Sequence, residues 1–299
     1  MSAEIKSILK ENRPTLTDSS VRTYASTLFN LFKKMTESTE FDKSSFVDNY
    51  KDVLAFLEDK EPKTRKTVLS SLVVFTDGNK KVQDAYRKQM LEDQEKTDAV
   101  NKQQKKSDKQ EENWMSYDEI LKCYNDLEKT AKPLFGKDKF TMNDLQKIQD
   151  YVILSLYVLQ APRRLKDYVD FKIKNIDKEK DNYFDKKSKK LIFNSYKTAK
   201  YYKTQEVDVN PKLITIFNKW FQINPTEWLL FDNNQKQLTS PQLTRRLNSI
   251  CGRKVSVNMI RHAYISDRVL KDVPALTRLE QTAEEMGHSV KEQMLYKKR

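Results

Sequence analysis

Between residues 91 and 112 the chain reads LEDQEKTDAVNKQQKKSDKQEE, and apolar side chains almost vanish. A stretch dominated by Lys, Gln, Asp and Glu cannot contribute to a packed core. Each flanking region must then bury its own apolar surface. The sequence accordingly divides into a domain at 1–90, a charged linker at 91–112 and a domain at 113–299. The linker contains neither Gly nor Pro, so helix can persist through it.

Both flanking regions read as helical. Only 4 Gly and 8 Pro occur in 299 residues, which disfavours long irregular or sandwich architectures. SSVRTYASTLFNLFKKM (19–35) sets Val21, Tyr24, Leu28, Leu31 and Phe32 at helical spacing, and SSFVDNYKDVLAFLED (44–59) does the same with Phe46, Tyr50, Val53, Leu54 and Leu57. PKTRKTVLSSLVVF (62–75) opens on Pro62 and the cations Lys63, Arg65 and Lys66. Such a helix start suits a phosphate contact, because backbone donors and side-chain charge point the same way; a solvated first turn reads alike. SYDE (116–119) is a capping box and starts a helix over about 116–130. Further helices are expected at 143–160, 211–221, 240–250, 257–270, 274–286 and 290–297. Between 181 and 209 the short runs LIF and EVDV flank polar turns, which predicts a small antiparallel sheet or hairpin. The expected class is mainly α with a small antiparallel β-sheet.

Charge narrows the partner. Fifty-six Lys and Arg against 43 Asp and Glu give +13, and an excess of that size points to a polyanion, DNA or RNA first. Cys123, Cys251 and two histidines have no zinc-ligand spacing, so both thiols are expected to be structural in a reducing compartment. The opening MSAEIKSILKENRP lacks the apolar core of a signal peptide, and YVILSLYVL (151–159) is too short to span a bilayer. The chain is expected to be soluble and intracellular, or carried inside a particle, with no membrane partner.

Four places can carry chemistry. In LQAPRRLKDY (159–168) two arginines emerge from the most hydrophobic helix, and Asp167 follows Arg164 by three residues and can orient it. A guanidinium there can grip two phosphate oxygens; an Arg–Asp pair at a helix junction is the plain alternative. In NSYKTAKYYK (194–203) Lys197 leaves the first strand of a hairpin and can reach a site as a general acid or point charge. In VSVNMIRHAYIS (255–266) Arg261 stands among apolar residues, with Asn258 one turn earlier, and a buried arginine requires an anion. Lastly, MGHSVKEQMLYKKR (286–299) has a capping box at Ser289 and Glu292. A helix beginning after His288 would let His288 and Tyr296 converge, whereas one continuous helix would hold them about 12 Å apart.

In this order, these elements resemble the tyrosine recombinases, the integrase family of site-specific DNA strand-exchange enzymes, and their type IB topoisomerase relatives. The family's first arginine and its acidic follower fall on Arg164 and Asp167, and the hairpin lysine on Lys197. The H-x-x-R-H motif falls on Asn258 to His262, with Arg261 its arginine, and the later G-H and nucleophile on Gly287-His288 and Tyr296. The wording APRRLKDY, NSYKT and MGHS is similar to integrases of eukaryotic DNA viruses and related mobile elements. The resemblance implies an N-terminal helical core-binding domain, to which Lys63, Arg65 and Lys66 would belong, and an α+β catalytic domain. It further implies a 3′-phosphotyrosyl intermediate, no cofactor or metal, no ATP, and a homo-oligomer, a tetramer, on double-stranded DNA. Arg164 and Arg261 would clamp the phosphate, Lys197 would protonate the leaving oxygen, His288 would donate a hydrogen bond, and Tyr296 would attack. His262 would hold the Arg261 helix in place. Asn258, where the family usually has His, can only hydrogen-bond. Arg163 rivals Arg164, and Lys200 and Lys203 rival Lys197. A topoisomerase or a catalytically weak DNA-binding relative are the alternatives.

Overall fold

The computed structural model describes residues 2–103, 105–269, 273–286 and 290. They form two compact units, Met1–Lys106 and Ser107–Arg299.

The first unit is wholly helical among the described residues: α1 (Ser2–Asn12), α2 (Asp18–Thr36), α3 (Ser45–Asp48), α4 (Tyr50–Leu57), α5 (Pro62–Phe75) and α6 (Lys80–Lys102). Pro62 occupies the first turn of α5, where its missing N–H costs nothing. The helix expected at 44–59 is broken at Asn49, which ends α3 and caps α4. Phe32, Phe41, Phe46 and Phe75 pack edge-on or tilted, with ring centroids 5.2–6.4 Å apart. The buried Tyr86 hydroxyl donates to the Phe46 carbonyl at 2.7 Å.

Residues 91–102, part of the charged stretch, continue α6, as the absence of Gly and Pro allows. The reason is one acid. Asp93 is fully buried and accepts two bonds from Arg65, at 2.8 and 2.6 Å, while Arg65 also donates to the Glu58 carbonyl at 2.7 Å. A composition too polar for a core is thus tied to the core by a single charge pair.

The second unit opens with α7 (Asp108–Asn113) and α8 (Tyr117–Ala131); the Ser116–Glu119 capping box forms as the sequence predicts. A 3₁₀ turn (Lys132–Gly136) leads to α9 (Met142–Val158). Tyr151 through Tyr157 are buried without interruption, as in a helix surrounded by protein on every side. Then follow α10 (Leu165–Val169), β1 (Phe171–Lys172), β2 (Asn182–Asp185), β3 (Lys190–Phe193), α11 (Ala199–Tyr202), β4 (Gln205–Asp208) and α12 (Pro211–Ile223). The described chain closes with α13 (Ser240–Cys251), α14 (Val257–Tyr264), a π-helical turn (Ile265–Val269) and α15 (Val273–Glu285).

The sheet has the order β1-β2-β3-β4. Strands β2, β3 and β4 form the expected antiparallel meander, but β1 pairs with β2 in parallel, so the sheet is mixed. The two-residue β1 leaves α10, and the chain loops back through 173–181 to run alongside it. Leu191, Ile192 and Phe193 are all buried, as befits an inner strand. Trp220 of α12 stacks on Phe231 at 5.8 Å and donates to the Leu229 carbonyl. Cys123 and Cys251, remote in sequence, meet as thiols, and burial pushes the Cys251 thiol up to about 12. No helix among the described residues is long and apolar enough to cross a membrane.

Two carboxylates tie this unit's stability to pH. Burial pushes the Glu128 carboxyl up, but Lys132, Lys212 and the Tyr151 hydroxyl hold it down at about 2. Lys137 and the Thr141 cap hold Asp144 at about 2. Both folded values lie below the ordinary 4.5 and 3.8, so their stabilisation is full above the ordinary values and lost as pH falls towards 2. The urea midpoint read by tryptophan fluorescence should therefore drop steeply over that interval. Glu128→Gln and Asp144→Asn should lower it at neutral pH and flatten the drop. An unchanged slope in both variants would remove these two groups as the cause.

Candidate functional site

The two arginines that leave α9 have opposite fates. Arg163 turns inward: its guanidinium lies 3.8 Å from the Phe193 ring centre and 5.4 Å from that of Tyr196. It donates to the Asp167 carboxylate at 2.9 Å and to Gln205 at 3.0 Å. Asp167 is therefore the side-chain partner of Arg163, and it engages Arg164, as expected, through that residue's backbone and charge rather than through a side-chain ion pair. Burial pushes the Asp167 carboxyl up, against the pull of Arg163 beside it. Its other oxygen, Oδ1, is buried with no hydrogen-bond partner among the described residues. Arg164 stands at the N-cap of α10, half-buried, in extended backbone. Its side chain makes no hydrogen bond or ion pair with another described residue and acts on Asp167 only through space. The two neighbours are told apart by aromatic rings 30 residues further on, which take up Arg163 and not Arg164.

Lys197 is exposed on the connection between β3 and β4, which is no tight turn but an eleven-residue excursion (194–204) containing α11. The base of this excursion is pinned by Asn182, fully buried. Its Oδ1 accepts from the Asn194 and Ser195 amides at 2.9 and 2.8 Å, and its Nδ2 donates to the Asp167 and Ser195 carbonyls. Asn182 thereby fastens the connection to α10 from one side and the Arg163–Tyr196 contact does so from the other. Arg164 and Lys197 are the next residues along each of the two segments so joined. Lys200 and Lys203 are exposed further along the same excursion.

Arg261 lies on α14, whose start is capped by Ser256 accepting from the Met259 amide at 3.2 Å. Val257, Met259, Ile260 and Ala263 are buried, while Arg261 is half-buried at the margin of that face. Asn258 and His262 are both exposed. The expectation that His262 holds the helix is corrected: the apolar face does so. Tyr117 ties α14 to the exit of α9. Its ring meets that of Tyr264 edge-on at 5.6 Å, and its hydroxyl donates to the Val158 carbonyl at 3.0 Å. Tyr117, Asn182 and Phe193 escape a motif reading because they touch no reacting group.

Five arginines among the described residues are buried or half-buried. Arg65, Arg163 and Arg246 are paired with Asp93, Asp167 and Asp150. Arg164 and Arg261 have no described hydrogen-bond or ion-pair partner. A partly desolvated cation left without an acid is a standing demand for an anion from outside. Of the three cations expected on DNA in the first unit, Arg65 is spent on Asp93, a correction, and the Lys66 ammonium bonds Gln94; Lys63 is exposed. Gly287, His288 and Tyr296 lie outside the described residues. A polar cleft of about 420 Å³, lined by Asp150, Asp232, Gln242, Arg245 and Arg246 among others, contains none of the expected site residues.

No family model matches the chain, and no curated protein does. Among solved structures it is similar to the XerA recombinase, at 12% identity over 90% of this chain and 85% of that one, with a TM-score of 0.37. It is similar to a lambda integrase dimer (75–356) bound to a COC′ core site, at 12% identity, 89% and 86% coverage and a TM-score of 0.40. A lambda integrase tetramer bound to a Holliday junction gives 11%, 89%, 79% and 0.31.

Proposed function

We propose that this chain is a DNA breaking-and-rejoining enzyme of the tyrosine recombinase type, acting on double-stranded DNA as a homo-oligomer. The observation that carries the reading is the pair of half-buried guanidinium groups on Arg164 and Arg261, which have no hydrogen-bond or ion-pair partner among the described residues. Each stands at a motif position, on segments tied together through Tyr117 and the end of α9. In the proposed reaction the Tyr296 hydroxyl attacks phosphorus, the bond to the 5′ oxygen breaks, and a 3′-phosphotyrosyl ester forms. The ester retains the phosphodiester energy, so religation is the same step reversed. Charge grows on the nonbridging oxygens, where the guanidinium groups of Arg164 and Arg261 stabilise it; Lys197 returns a proton to the leaving oxygen, and His288 donates to the phosphate. Site-specific integration or excision in the genome of a DNA virus or mobile element is the biological setting we infer from the motif wording.

A nicked suicide duplex, which loses the short strand after cleavage, traps the covalent adduct. Wild type is expected to accumulate it and Tyr296→Phe to yield none. An adduct undiminished in Tyr296→Phe overturns the assignment of the nucleophile. Absence of any adduct with wild type, on duplexes it binds, leaves a DNA-binding relative without the chemistry.

A further inference from the structure

Tyr201 and Tyr202 are the most exposed large aromatics in the described chain, at 78% and 67%. They sit side by side on α11, at the outer end of the β3–β4 excursion. Bare rings cost solvation, and a soluble surface gains nothing by displaying two of them. The excursion is built to hold them out. The Tyr196 hydroxyl donates to the Lys203 carbonyl at 2.6 Å, Thr204 donates to Asn194 at 2.7 Å, and Lys203 closes the turn at a φ of 52°. A non-glycine residue at that angle is strained and persists only where surrounding bonds impose it. Lys197, Lys200 and Lys203 flank the two tyrosines in sequence, and from Lys186 to Gln205 the sequence contains no acid.

We infer that the Tyr201–Tyr202 pair is a stacking platform for unpaired DNA bases. The charge selects a polyanion, and rings select a planar face, which every base offers whatever its identity. Neighbours on a helix point about 100° apart, so the two rings cannot share one continuous base stack. Each takes a separate base, which a closed duplex does not present and an opened one does. The inference rests on the proposed function for the presence of DNA at this hairpin, beside Lys197. It adds that the hairpin engages strands as they part.

Binding of full-length Tyr296→Phe protein to two labelled duplexes tests this without any cleavage. One is fully paired; the other carries two unpaired nucleotides, with 2-aminopurine at those positions. The protein should prefer the opened duplex and change the 2-aminopurine emission on binding. Tyr201→Ala with Tyr202→Ala should lose about tenfold or more in affinity for the opened duplex. Its affinity for the paired one should be unchanged, and Tyr201→Phe with Tyr202→Phe should keep the preference. Retention of the preference by the alanine pair overturns the platform, as does an equal loss on both DNAs. If the alanine pair instead abolishes self-association in sedimentation with the DNA preference intact, the rings serve a second copy of the chain and the inference fails. Because no adduct is scored, this result and that of the suicide duplex stand or fall separately.

Discussion

Alanine in place of Arg164 should slow covalent capture of DNA by about 100- to 1000-fold, the usual effect of deleting one donor to a developing oxyanion. The unfolding midpoint should move little, because the Arg164 side chain makes no hydrogen bond or ion pair with a described residue and reaches Asp167 only through space. Arg163→Ala should behave in the opposite way. It removes the charge opposite Asp167, a carboxylate at 3% exposure that already has one unpartnered oxygen. Stranding a buried charge costs about 3–5 kcal/mol. Protein that still folds should retain the cleavage machinery. Single-turnover capture and urea unfolding on both variants read the two effects independently. If Arg163→Ala lowers the rate at full stability while Arg164→Ala is silent, the clamp has been given to the wrong arginine. Arg164→Lys should recover little, since an ammonium lacks the planar fork.

Asp93→Ala should destabilise the first unit by about 3–5 kcal/mol, since it leaves Arg65 buried without its acid. The distribution of tryptophan makes this measurable. All three, Trp114, Trp220 and Trp228, lie in the second unit. Loss of helical circular dichroism should therefore shift to lower urea while the tryptophan transition stays in place. Replacing both partners with apolar residues of similar volume, Arg65→Met with Asp93→Leu, should restore most of the loss. Coincident shifts in both signals would mean that the two units unfold as one and would refute the local assignment.

How much of this was legible beforehand depends on the range of the interaction. Signals within one turn read well: Pro62 opens α5, Ser116 and Glu119 open α8, and the apolar run 151–159 becomes the buried stretch of α9. Signals that need a partner far along the chain did not. Asp93 looks like one more linker acid until Arg65, 28 residues away, is found beside it. The tandem Arg163-Arg164 is symmetric on paper, and only Phe193, Tyr196 and Gln205 break the symmetry. Strand β1 is two residues long, below any periodicity, so its parallel pairing could not be read. The positions Arg164, Lys197 and Arg261 were named from motif order, but the braces that hold them, Tyr117 and Asn182, carry no motif.

The ring slot that swallows Arg163 turns the stretch from Leu159 to Arg164 into a gauge block. One guanidinium must reach the slot and the very next must miss it, so the number of residues after α9 matters more than their identity. A single insertion before Arg163 would carry it past the slot, bring Pro162 into its place and leave Asp167 without its cation. Drift in this chain's descendants should thus rewrite the letters of that stretch long before it alters their count.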